Sequence, residues 1–340
     1  MYAAQTELKN AQKVKEFLIT KKLFHPDYTS VKEFGLIYFP IIKKTKVPGA
    51  KVVAVSFSFP RKVHQASMPE LLKGKLTSAE LAILPTSQEV VGKILILEIP
   101  EELQQKERVI AQAYLTQSHH VETVVKKAEF HEGDYRLRKV QVLAGKNTKE
   151  TIHQENGVKI KLDLEKTYFS ARSSNERLRI AKQVTKGEEV LVMFSGAAPY
   201  PLVIAKNSPA KLIYGIELNP LAHQYALQSV ELNHLSDRII ILQGDVRTIT
   251  PTLNRKFDRI IMPLPKTAED FLESALCAAK KKAIIHLYAF LAKDDIKAAG
   301  KRIQKLCTGY GHSVKILRAV TCGQFSPRTF RICFDLKLNK

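Results

Sequence analysis

Three short apolar runs in the second half of the chain each end in residues that can hold a ligand. Phe194-Ser195-Gly196-Ala197-Ala198-Pro199 follows the run from Val190, Glu217 ends the run from Lys211, and Gly244-Asp245 follows the run from Ile239. Small residues in the first loop let a ligand approach the backbone, and an acid at the end of the second run suits a paired grip on ribose hydroxyls. The loop is not GxGxxG, and no phosphate-gripping lysine follows it. A nucleoside ligand such as S-adenosylmethionine therefore fits better than NAD or a nucleoside triphosphate.

These residues need strands that end side by side. From about residue 173 the pattern alternates: helix 175–184, strand 190–194, a helix, strand 211–217, helix 220–233, strand 239–242 and strand 259–262. Helix 268–279, strand 283–288, helix 293–307 and closing strands 314–320 and 329–336 complete it. Strands separated by helices of ten to fifteen residues predict a doubly wound, Rossmann-like α/β domain, whose ligands sit beyond the carboxyl ends of the strands. Upstream, a helix 5–21 and strands 36–42 and 51–59 predict a small α+β unit. Strand 92–99, helix 101–115 and strands 121–126, 136–144 and 158–164 predict a second one. The expected domains are 1–67, 68–162 and 163–340.

The 340 residues carry 54 Lys+Arg against 33 Asp+Glu, a formal charge of +21, with a pI near 9.7. That excess points to a polyanionic partner, most simply a nucleic acid. Lys43, Lys44, Lys46, Lys51, Arg61 and Lys62 bracket the Pro48-Gly49 turn and the exit of the first unit, where they suit phosphate contacts. With 45% hydrophobic residues the chain has enough apolar material for a real core. No apolar run is long enough to span a bilayer, and the amphipathic opening MYAAQTELKNAQKVKEFL lacks a signal-peptide core, so a cytoplasmic protein is expected. Cys277, Cys307, Cys322 and Cys333 include no CxxC pair, so neither a zinc site nor a disulfide framework is expected.

The run Tyr168-Phe-Ser-Ala-Arg172-Ser-Ser-Asn-Glu176-Arg177, followed by VLVMFSGAAPY (190–200), IYGIELNP (213–220) and DRIIMPLP (258–265), resembles the archaeal and eukaryotic tRNA (guanine-37-N1) methyltransferase family. GDYRLRKVQVLAG (133–145) and TIHQENGVKIKLDLEKTYFS (151–170) are similar to the middle domain of the same family, so the resemblance covers nearly the whole chain. It implies a C-terminal class I methyltransferase domain, S-adenosylmethionine as methyl donor and tRNA near the anticodon as partner; no protein partner and no metal are implied, and a monomer is expected. It further implies Glu176 as general base, Arg136 as the arginine that contacts the target guanine, and Tyr168, Arg172 and Arg177 as residues of the loop that shapes the pocket. Phe194, Gly196, Glu217, Leu218, Asp245, Val246, Pro263 and Pro265 are the implied cofactor contacts. The chemistry agrees, because guanine N1 carries a proton and needs both a base and a donor for charge building on O6.

The chain departs from the family pattern at four positions: Val192 replaces an acid, Ala198 a glycine, Pro263 an asparagine and Ala171 a proline. The change at Pro263 leaves open methyl or aminocarboxypropyl transfer to a wyosine-type derivative of the same nucleotide; a second alternative, of another class, is a catalytically weakened RNA-binding homologue that keeps the fold and charge. A ribosomal RNA methyltransferase fits the charge but not the YFS-x-R-x3-ER block.

Overall fold

The computed structural model describes residues 1–62, 66–85, 87–128 and 137–339. The chain divides into two compact units, Met1–Ser67 and Met68–Lys340.

In the first unit β1 (Tyr2–Glu7), α1 (Ala11–Thr20), β2 (Val31–Glu33), β3 (Leu36–Ile41) and β4 (Lys51–Ala54) form a sheet ordered β2-β3-β1-β4. The expected helix from Gln5 is corrected here: residues 2–7 are the strand between β3 and β4, and the helix begins only at Ala11. The helix formers of this stretch are overridden by a pairing partner some thirty residues away, a contact that local propensity does not report. Val14 and Leu18, four residues apart, are the buried face of α1. Lys43, Lys44, Lys46, Lys51, Arg61 and Lys62 are all exposed.

The second unit opens with α2 (Met68–Leu72) and α3 (Ser78–Ala82), the latter started by a capping box between Thr77 and Glu80. β5 (Gln88–Val91), β6 (Ile94–Leu97), α4 (Glu107–Gln117), β7 (Thr123–Lys127) and β8 (Val140–Gly145) follow, with sheet order β5-β6-β7-β8. The expected strand 136–144 is observed only as β8, and residue 136 lies outside the described residues. A strand missed in the sequence, β9 (Glu150–Glu155), pairs with β10 (Val158–Asp163) across a turn in which Asn156 and Gly157 have φ of 46° and 78°.

α5 (Ser174–Ala181), β11 (Glu189–Met193), α6 (Pro199–Asn207), β12 (Leu212–Glu217), α7 (Pro220–Leu232), β13 (Ile239–Gln243) and α8 (Val246–Thr252) lead into the last part of the chain. There β14 (Phe257–Met262), α9 (Leu272–Ala278), β15 (Ala279–Leu291), α10 (Ile296–Gly309), β16 (Val314–Ser326) and β17 (Thr329–Leu338) complete a seven-stranded sheet ordered β13-β12-β11-β14-β15-β17-β16. β13 to β15 are parallel, whereas β17 and β16 are antiparallel. β11 is buried along its whole length, as a central parallel strand with both faces covered requires.

One core holds the inner faces of α5, α6 and α7 together with Val158, Ile160 and Leu162 of β10 and Val91, Ile94 and Ile96 of the smaller sheet. A second holds α8, α9 and α10 on the opposite face, and a third lies between α4 and the smaller sheet. The β9–β10 hairpin is fastened to α7 as if by another strand. Ser229 Oγ accepts from Lys161 N–H at 2.9 Å and donates to its carbonyl, while Asn233 accepts from Lys159 N–H at 2.9 Å and donates back at 2.6 Å. An exposed edge is thereby satisfied by side chains.

Candidate active site

The sheet order reverses direction between β11 and β14, and beyond the strand ends there lies a cavity of about 420 Å³, a size suited to a nucleoside-sized ligand. Its wall includes Phe194, Gly196, Glu217, Leu218, Asp245, Val246, Pro263 and Pro265, each of the expected cofactor contacts. Tyr168 and Arg177 line the same cavity from the other side. Two residues from that segment do not. Arg172 is exposed and away from the lining, and Glu176 is buried behind it. Arg136 lies outside the described residues.

Glu217 is held by its own backbone surroundings. Gly196 N–H donates to one carboxylate oxygen at 2.6 Å and Asn219 N–H to the other at 2.9 Å, and a carboxylate has acceptor capacity beyond these for a ribose hydroxyl. Burial pushes the carboxyl above its ordinary value despite these donors. Ser195 Oγ in the same wall is buried without a hydrogen-bond partner. An acid aimed into an apolar cleft, backbone approach at Gly196 and an unsatisfied hydroxyl fit a nucleoside with a polar tail such as S-adenosylmethionine. A ribose grip by Glu217 would use the ionised carboxylate, so affinity is expected to fall as pH drops through its raised pKa. Glu217→Gln should weaken binding at neutral pH by at least about tenfold, given charge-assisted hydrogen bonds worth about 1.5–3 kcal/mol each, and should flatten the pH dependence. Calorimetric titration against pH measures both; unchanged affinity removes Glu217 from the site.

Asp245 is more committed than its sequence position suggests. It caps α8 by accepting from Arg247 N–H at 2.8 Å, and its carboxylate pairs with the Arg247 guanidinium, which lies over Phe271. That pairing holds its acid below the ordinary value.

The loop between β11 and α6 is wound through left-handed backbone: φ is 58° at Phe194, 56° at Gly196 and 66° at Ala198. Ala198 stands where the family has glycine, and the reason for glycine is now visible. A left-handed Ala costs roughly 1–2 kcal/mol, against at most about 1 kcal/mol of extra chain entropy for glycine. Ala198→Gly is thus expected to stabilise the second unit by roughly 0.5–1 kcal/mol in urea denaturation; a lowered midpoint would contradict the strain.

Arg177 serves as part of the wall. Its guanidinium donates to both oxygens of Glu155 at 2.5 Å and to the Ser170 carbonyl at 3.1 Å, and lies over the rings of Phe169 and Tyr200. Arg138 donates to the Phe169 carbonyl at 2.9 Å and pairs with Glu89. The YFS segment is thereby pinned from both sides.

Behind it runs a buried ionic network. Arg179 donates to both oxygens of Glu176 at 2.7 Å and to Asp335 at 3.0 Å. Asp335 also accepts from Arg318 and from His286 Nδ1, each at 2.6 Å, and His286 Nε2 faces Arg259 at 2.7 Å. Arg259 can only donate, so His286 is neutral with its proton on Nδ1. His286, Cys333 and Asp335 offer ligand atoms within 4.8 Å of one another, but guanidinium groups already occupy the positions a cation would take. Sequence reasoning missed Tyr200, Tyr288, Asn219 and Arg331, all in the cavity wall. Only Asn219 left a signal, as a capping residue before Pro220: its side chain accepts from Leu221 N–H and donates to the Lys166 carbonyl.

The family described as the TRM5/TYW2 methyltransferase domain matches residues 151–317, and the TYW2 N-terminal domain matches residues 68–148. A tRNA (guanine(37)-N(1))-methyltransferase, Trm5b, from Pyrococcus abyssi is 33% identical over 341 residues, covering 99% of each chain; the crystal structure of that protein aligns with a TM-score of 0.75 over 100% of both. The structure of a complex of aTrm5 and tRNALeu aligns with a TM-score of 0.71 at 28% identity over 100% of both chains. A TYW2 from P. horikoshii in complex with MeSAdo aligns with a TM-score of 0.70 at 27% identity, over 80% of this chain and 98% of that one. The chain therefore belongs to the TRM5/TYW2 methyltransferase family, with tRNA (guanine-37-N1) methyltransferases of the archaeal and eukaryotic type as full-length relatives.

Proposed function

We propose that this protein transfers the methyl group of S-adenosylmethionine to N1 of guanosine 37 in tRNA. The observation that carries the reading is that the nucleoside-binding strand ends and the YFS segment face each other across one cavity, so donor and target base can meet there. Bound S-adenosylmethionine supplies an electrophilic methyl whose bond to sulfur breaks with both electrons staying on sulfur. Glu217 and the Gly196 loop hold the ribose and the backbone-facing side, Leu218, Val246 and Pro265 the adenine, and Asp245 its edge through the Arg247 pair. Glu176 takes up the N1 proton, Arg136 balances charge on O6, Tyr168 contacts the base, and Arg172 and Arg177 set the loop around it. Pro263 leaves the polar work at the base to these other groups.

Residues 1–67 form the tRNA-binding domain in this reading, residues 68–162 a middle domain that presents tRNA near the anticodon, and residues 163–340 the transfer domain. The enzyme acts in the cytoplasm as a monomer. Labelled S-adenosylmethionine should mark an unmodified tRNA transcript with G37 but not one carrying another base there; label independent of nucleotide 37 contradicts the reading. Because the +21 charge acts through phosphates, log K for tRNA is expected to fall linearly with log salt, at about −0.7 to −0.9 per neutralised phosphate. Removing residues 1–67, a compact unit by itself, should weaken tRNA and spare S-adenosylmethionine. Wild-type tRNA affinity in the truncated protein would remove that unit from recognition.

A further inference from the structure

Glu176 does not line the cavity, yet it is joined to the hydroxyls of two tyrosines that do. Tyr288 Oη lies 2.6 Å from Glu176 Oε1, and Tyr200 Oη lies 2.9 Å from Tyr288 Oη. The direction of this chain is forced. A carboxylate clamped by Arg179 can only accept, so Tyr288 donates its single proton to Glu176 and must accept from Tyr200. Tyr200 Oη donates its proton to Tyr288 and keeps lone pairs for a further donor.

We propose that Tyr200 and Tyr288 form a proton relay from the target base to Glu176. The inference rests on N1 methylation with Glu176 as final acceptor. The N1–H bond breaks with its electron pair going to the incoming methyl carbon, and Tyr200 takes that proton. Tyr200 passes its own proton to Tyr288, Tyr288 passes its own to Glu176, and both phenols end neutral. Burial holds both tyrosines above their ordinary pKa, so neither ionises alone and each can only exchange one proton for another. Arg179 bridges Glu176 and Asp335, so when Glu176 is neutralised the guanidinium keeps a carboxylate partner. Among the described residues Cys322 and Cys333 also feel the Glu176 charge; burial pushes both thiols up, Cys322 to about 12, so both stay protonated and cannot take the proton.

Single-turnover methylation of unmodified tRNA tests the relay in Tyr288→Phe, Tyr200→Phe, Glu176→Gln and the Tyr288→Phe/Glu176→Gln pair, with S-adenosylmethionine affinity and melting measured alongside. Tyr288→Phe and Glu176→Gln should each slow transfer by about 10²–10⁴, the usual scale for a lost base, and the double variant should be no slower than the slower of the two, because both cut one path. Tyr200→Phe should slow transfer at least about tenfold and serves as the second probe if Tyr288→Phe melts early. Raising the pH removes the N1 proton without help, so the Phe variants should recover toward wild type, which a purely structural defect would not do. If Glu176→Gln is slow while both Phe variants stay within about threefold of wild type, the relay is wrong and Glu176 receives the proton directly. Losses that multiply in the double variant also overturn it. If all stay near wild type, the base reading falls together with the relay.

Discussion

Glu176→Gln is expected to lower single-turnover methyl transfer by about 10²–10⁴ while S-adenosylmethionine affinity stays near wild type. The amide keeps the size of the side chain and can still accept from Tyr288, but it cannot take a proton. The structure adds a second consequence. One oxygen that faces Arg179 becomes an NH2 group or is turned away, so a buried ion pair with both partners largely shielded is broken. Some loss of stability accompanies the loss of rate, and rates are therefore to be compared on protein shown to be folded. A rate within about threefold of wild type at neutral pH means that the N1 proton leaves by another route.

Asp335→Ala should be the most destabilising single change in the second unit. The carboxylate is completely buried and serves Arg179, Arg318 and His286 together. Removing one partner of a buried ion pair costs about 3–5 kcal/mol; here Arg179 loses one of its two carboxylates and the buried His286 Nδ1–H its acceptor, while half-exposed Arg318 can turn to water. Burial alone would raise the Asp335 acid, but hydrogen bonds from His286 and Arg179 outweigh it and hold it far below 3.8. Burial keeps His286 below 6.5. Both groups bind protons more readily in the unfolded chain, so both stabilise at neutral pH. That stability is lost as pH falls, beginning near 6.5 for His286 and near 3.8 for Asp335. Urea denaturation across pH should show this decline in the wild type and a flatter acid limb in Asp335→Ala. A midpoint near that of wild type would mean the network contributes little.

The parts of the site that sequence made legible are those fixed by strand ends. Once β11, β12 and β13 were recognised as parallel strands, the loop at Phe194–Pro199, Glu217 and Gly244-Asp245 had to converge on one edge, and they do. Glu176 and Arg177 were legible as a motif but not as neighbours: one lies behind the cavity and the other is spent on Glu155, partnerships that need the folded β9–β10 hairpin and β15. Tyr200 and Tyr288 left no signal, because a tyrosine within an apolar helix or strand reads as ordinary core until its hydroxyl is seen to have a partner. Strand β1 failed in the other direction. Its local sequence favours helix, and only pairing with β3 and β4 decides against it.

The most direct test of the account is the identity of the product. Unmodified tRNA incubated with the protein and S-adenosylmethionine, digested to nucleosides and analysed by mass spectrometry, should contain N1-methylguanosine derived from position 37. A methyl or aminocarboxypropyl group on a wyosine-type nucleoside, with no N1-methylguanosine, or no modified nucleoside at all from protein that binds both ligands, would contradict it.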